Sequence, residues 1–157
     1  MALTEFPGYV SAQTVEFVTV LQEEMVADGL VLLYQFPDST QPAGHTARHC
    51  LATTFVTQEQ HGGWRAQSAS KLGCSRLNEQ DFSAMFTVGG NVTDLTTAYG
   101  WSQEGDRVQV EWSDKRIDLV SLVDNTFLLS RAETVPVNQI QLLHQDGTVL
   151  DSIVFGN

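Results

Sequence analysis

Short apolar runs separated by turn-forming pairs set the pattern of this chain. In "RVQVEW" (107–112), Val108, Val110 and Trp112 alternate with Arg107, Gln109 and Glu111. That is the two-residue period of a strand with one buried face. Similar runs recur from residue 95 onward as "LTTAYGWS", "IDLVSLV", "TFLLS", "NQIQLLH" and "TVLDSIVF". Most are divided by Glu104-Gly105, Asp114-Lys115, Asp124-Asn125 or Asp146-Gly147, pairs suited to tight hairpin turns.

The first half is less regular. Asp28-Gly29 precedes the apolar strand "LVLLYQF" (30–36), and "PDSTQPAGHTAR" (37–48) reads as an exposed loop. "CLATTFVTQ" and "WRAQSASK" make a hairpin around Gly62-Gly63. The segment 14–27 has helical spacing at Thr14, Phe17, Val18, Leu21 and Met25, yet is rich in β-formers and ends at a good turn. A strand paired with 30–36 is the preferred expectation there, and a helix is the alternative. "LNEQDFSAMF" (77–86) reads as one short helix or an irregular connection. Many short strands with frequent turns predict an all-β fold, a two-sheet antiparallel β-sandwich rich in hairpins, with residues 1–157 as a single domain.

Pairing across Asp124-Asn125 would set Val120 and Leu122 beside Leu129 and Phe127 on one face, with Ile117, Leu119 and Val123 on the other. A strand apolar on both sides needs a second cover, from the same chain or from another subunit. A tight 114–115 turn would also set Glu111 directly opposite Asp118, a mildly unfavourable like-charge pair.

Composition narrows the function classes. The chain is 42% hydrophobic and 17% charged, which is globular. Its formal net charge of −11 comes without a basic cluster, so nucleic acid is not an expected partner. No apolar run reaches the roughly 18 residues of a membrane helix, so membrane insertion by this chain is not expected. "MALTEFPGYV" lacks a signal peptide's basic start and apolar stretch. Either the protein is cytoplasmic, or an export signal or anchor is missing from this sequence.

Chemistry concentrates in "HCLATTFVTQEQHGGWRAQSASKLGC" and the loop before it. His45, His49, His61, Cys50 and Cys74 are acceptable zinc ligands by type. However, no CxxC or HExxH spacing occurs, and adjacent strand residues such as His49 and Cys50 point to opposite faces. A cysteine nucleophile would need a histidine base and an orienting group, and no local signature supplies them. The expected metal, catalytic and cofactor sets are therefore empty.

A disulfide has a geometric basis instead. In a hairpin turning about Gly62, residues whose numbers sum to 124 face each other, so Cys50 meets Cys74, Ala52 meets Leu72, Thr54 meets Ser70 and Val56 meets Ser68. Opposed strand residues lie close enough to bridge. A disulfide implies an oxidising compartment. The carboxylates Glu23 and Glu24, Glu104 and Asp106, and Asp114 with Asp118 match no dense oxygen-ligand loop. "NVT" (91–93) fits a glycosylation sequon, and "GGN" (89–91) lacks the residues of a phosphate loop.

The order "GGW…GC", "VQVEWSD", "VDNTFLLS" and "IQLLHQDGTVL" resembles a pattern in uncharacterised bacterial exported or membrane-tethered β-sandwich domains, over about residues 62–152. Lys115 and Asn125 stand where glycine would be usual in that group. The resemblance implies fold and location, and no active-site residues. The resulting expectation is an extracytoplasmic, non-enzymatic binding or structural module for an unknown protein or small-molecule ligand. The alternatives are a small metal- or cysteine-dependent hydrolase using His45, His49, His61, Cys50 and Cys74, and an oligomerisation module using the second face around Val120 and Leu122.

Overall fold

The computed structural model describes residues 18–26, 28–38, 48–76, 79, 81–89 and 94–156. The fold is all-β, with eleven strands in three antiparallel sheets and no α-helix among the described residues. The chain divides into two compact units, Met1–Glu79 and Gln80–Asn157.

The first unit is a four-stranded meander of β1 (Thr19–Val26), β2 (Gly29–Pro37), β3 (Arg48–Gln58) and β4 (Trp64–Arg76), adjacent in that order. The strand expectation therefore holds for Thr19–Val26, while residues 14–17 lie outside the described residues. Val26 already pairs with Gly29, so Gly29 is a strand residue and not half of the turn. Its role is close approach: a Cβ there would meet the Val56 carbonyl oxygen and lie 2.6 Å from Phe55 Cε2. Leu32, Tyr34, Phe36, Cys50, Ala52 and Val56 form a buried cluster on one face. On the other, Val31, Leu33, Leu51 and Phe55 are also buried, so the two central strands are apolar on both faces.

Thr53 and Thr54 are buried within β3 but keep their hydroxyls satisfied. Thr53 Oγ1 lies 3.1 Å from Ser70 Oγ, and Thr54 Oγ1 donates to the Ser68 carbonyl at 2.7 Å. This cross-strand bonding makes a threonine pair compatible with a buried strand.

The second unit is a sandwich. One sheet holds β5 (Ser83–Val88), β6 (Thr96–Trp101) and β9 (Thr126–Arg131) in the order β5-β6-β9. The other holds β7 (Arg107–Trp112), β8 (Ile117–Ser121), β10 (Val137–Leu143) and β11 (Val149–Val154) in the order β11-β10-β7-β8. Ala84, Ala98 and Phe127 from the first sheet share one core cluster with Val108, Val110, Trp112, Ile140 and Leu142 from the second. The six strand runs expected from residue 95 onward are all present. Ser83–Val88 is a strand, so the helical alternative for 77–86 does not hold there.

Two pairings differ from expectation. Asp124 and Asn125 do form a tight turn with φ of 51° and 62°, closed by reciprocal Val123–Thr126 backbone bonds. The hairpin stops at that single bridge: β8 pairs with β7, β9 pairs with β6, and the turn is a corner between the two sheets. Val120, Leu122 and Leu129 therefore pack against the core, whereas Ile117, Leu119 and Val123 are exposed. An oligomer face around Val120 and Leu122 is thus corrected, since these side chains are turned inward.

The β7–β8 connection is one residue off the tight turn. Trp112 N donates to Arg116 O at 2.9 Å, with Lys115 at φ 76°. Glu111 then faces Ile117, and Asp118 faces Val110, so the expected Glu111–Asp118 pair does not form. The two carboxylates lie on opposite faces of the sheet.

Candidate functional site

Cys50 and Cys74 sit opposite each other on β3 and β4 and form a disulfide, with Cα atoms 3.9 Å apart. The expected register holds at that end, from Arg48–Arg76 to Leu51–Gly73. It then slips twice. Ala52 faces Lys71 and Thr54 faces Ala69, and beyond a second irregularity Val56 faces Ala66. The expected Ala52–Leu72, Thr54–Ser70 and Val56–Ser68 pairs are therefore replaced. The extra residues, Leu72 and Gln67, both lie on β4 as bulges. Gln67 Nε2 donates to Thr57 Oγ1 at 2.7 Å, which gives the second bulge a fixed partner. Gly62 and Gly63, at φ 85° and 82°, turn the chain between the strands.

Asp38 and Arg48 adjoin the bridge. Asp38 N donates to Arg48 O at 2.9 Å, and Arg48 Nη2 donates to Cys74 O at 2.7 Å. An Asp38 carboxylate oxygen and both sulfurs lie within 4.8 Å of one another. In the disulfide neither sulfur is a thiolate, so this cluster offers no thiolate ligand or nucleophile. That removes Cys50 and Cys74 from the hydrolase alternative in the oxidised protein. His49, on β3, faces Ser75 on β4, and His61 is exposed at the hairpin turn. His45 and the sequon at 91–93 lie outside the described residues.

The carboxylate pairs resolve into separate roles. Asp118 Oδ2 accepts the Trp112 Nε1 proton at 2.7 Å, which satisfies the one polar atom of a fully buried indole. Asp114 and Glu133 form a closed ring with Arg116 and Arg131, at N–O distances of 2.6–3.2 Å. Arg131 also stacks over Trp112, 4.9 Å from the ring centroid. Burial raises the Asp114 carboxyl, but Arg116, through its backbone N–H, its guanidinium and its charge, holds it below the ordinary 3.8. Asp106 meets His144 Nδ1 at 3.2 Å. The Asp114–Arg116–Glu133–Arg131 ring and the Trp112–Asp118 bond tie β7, β8 and β9 together as a structural network, and the Asp106–His144 pair joins the start of β7 to the end of β10.

Two openings lie along β11. One, of about 330 Å³, is lined by Asp81, Ser102, Glu104, Leu142, Leu150 and Asp151. Three of those side chains are carboxylates and none is basic. The other, of about 560 Å³, is an apolar groove between Phe86, Pro136, Val137, Val154 and Phe155. Phe86 and Phe155 meet edge to face there at 5.2 Å. Neither opening was legible in the sequence, because each gathers residues from distant strands. No protein-family model, curated protein or solved structure matches the chain.

Proposed function

We propose that this chain is an extracytoplasmic, non-enzymatic binding module whose first sheet is clasped by a disulfide. The observation that carries this reading is the Cys50–Cys74 bridge across β3 and β4. Reducing compartments keep such thiols apart, and exported proteins retain the bond. A bridge between residues 24 positions apart contributes about 3 kcal/mol by limiting the unfolded chain, on the loop-entropy account. The acidic surface suits a soluble module that avoids anionic polymers and lipids. The likeness of residues 62–152 to exported or tethered bacterial β-sandwich domains supports the same location.

The test is fractionation of the native host with an antibody to the chain. Recovery in the envelope or the medium supports the reading, and recovery in the cytosol with free thiols contradicts it.

A further inference from the structure

The edge of the second unit carries more than its core requires. β11 bonds only to β10 among the described strands and ends the sheet order β11-β10-β7-β8. Phe155 N donates to Asn138 O, and Ile153 and Asp151 continue the ladder opposite Ile140 and Leu142. In an antiparallel ladder the bonding direction alternates along the strand, so the backbone groups of Ser152 and Val154 face the open edge. An exposed edge is ordinarily guarded by lysine, proline or a covering loop. Here Val149, Leu150 and Val154 are exposed, Val154 to 69%. Among the described residues the one guard is Asp151, whose Oδ1 accepts the Ser152 N–H at 2.8 Å.

Both openings adjoin this edge. The acidic cleft meets it at Leu150 and Asp151, and the apolar groove meets it at Val154 and Phe155. Phe155 and Asp151 lie four positions apart and so share the inner face of the sheet. A strand added antiparallel to β11 would present its own inner-face side chains beside Phe155 first and beside Asp151 four residues later.

Resting on the binding-module reading, we propose that the open edge of β11 accepts an extended peptide segment of a partner protein by β-augmentation. That segment carries a large apolar residue and, four positions later, a lysine or arginine. The apolar residue enters the groove at Phe86 and Phe155. The basic residue enters the cleft of Asp81, Glu104 and Asp151. A partner carbonyl takes the Ser152 N–H, and the displaced Asp151 carboxylate then pairs with the incoming cation. Charge selects this occupant over a second copy, because each copy carries −11 and like-charged surfaces repel.

The probe is a fluorescein-labelled peptide Thr-Phe-Thr-Val-Thr-Lys-Thr, read by anisotropy against the full chain at low and high salt. Controls replace its lysine by glutamate or exchange the phenylalanine and lysine. Ser152→Pro removes an N–H that serves no ladder bond, and Val154→Pro does the same one step along the edge. Circular dichroism checks that both variants keep the fold. The expected result is saturable binding that weakens at least tenfold with either proline, with the paired E104Q and D151N changes, with either control peptide and with high salt. Binding unaffected by both prolines, equal binding of the exchanged peptide, or no binding overturns the proposal. So does a concentration-dependent dimer that Ser152→Pro dissociates, which would give the edge to a second copy. None of these failures alters the compartment found by fractionation, so the two readings fail separately.

Discussion

Two arginines share the same pair of carboxylates, and burial separates what each contributes. Arg116 makes the shorter contacts, 2.6 Å to both Asp114 and Glu133, but its side chain is 56% exposed. Arg131 reaches the same acids at 3.2 and 2.8 Å with its side chain only 10% exposed, and it lies over the Trp112 ring. Distance alone would rank Arg116 first. Solvent screening reverses the order, because an exposed pair retains little of its Coulomb energy. A partly desolvated cation–π contact contributes on the order of 1–2 kcal/mol. The withdrawn charge-assisted hydrogen bonds of Arg131 add about 1 kcal/mol more. Arg131→Met, which keeps most of the alkyl stem, is therefore expected to cost about 2–3 kcal/mol. Arg116→Ala should cost about 0.5 kcal/mol or less, in the range of ordinary surface changes. Urea denaturation followed by tryptophan fluorescence reads both, and the Arg131 variant should lower the midpoint by roughly 1 M or more. A loss at Arg116 equal to that at Arg131, or a silent Arg131 variant, would show that burial does not set the ranking of the two arginines.

Three further outcomes follow from named contacts. Asp118→Ala strips the acceptor from the buried Trp112 Nε1 and should cost about 1–3 kcal/mol. Asp118→Asn keeps an acceptor oxygen and should cost less, and equal losses in urea melts would contradict the bond's role. Gly100→Ala places a Cβ against the Ser83 carbonyl, 2.7 Å from Phe127 Cε1 and 2.9 Å from Ala84 Cα. Two of those neighbours are backbone atoms that cannot swing away, so a loss of about 1–3 kcal/mol is expected, and a wild-type midpoint would contradict the close approach. Acid acts through Asp114, whose carboxyl is held below 3.8 in the folded chain. Its contribution is present above the unfolded value and is lost as pH falls through the lower folded one. Stability should therefore drop below about pH 4, and Asp114→Asn should flatten part of that drop in pH-dependent melts.

Much of the fold was legible because its signals are local. The alternation of Val108, Val110 and Trp112, and the Gly62-Gly63 turn, gave strands and a hairpin that the structure contains. The Cys50–Cys74 pairing was legible because the register is intact at that end of the ladder. The bulges at Gln67 and Leu72 were not, since a polar run such as "AQSASK" does not mark where an extra residue sits. The sheet change at Asp124-Asn125 was hidden for a related reason: a tight turn looks the same whether its strands go on pairing or part. Lys115, at positive φ without being glycine, concealed the one-residue shift that separates Glu111 from Asp118. The acidic opening on β11 joins residues as far apart as Asp81 and Asp151, a proximity that depends on the β5–β6 and β10–β11 pairings.

Peptide mapping shows whether Cys50 and Cys74 are joined in the working protein. Protein taken from its host is quenched at once with an alkylating agent and digested with trypsin without reduction. Cleavage after Arg48, Arg65, Lys71 and Arg76 places the two cysteines on peptides 49–65 and 72–76. One cross-linked species joining those peptides is expected, and it separates into the two on reduction. Two individually alkylated peptides before reduction would mean that the working protein lacks the bridge.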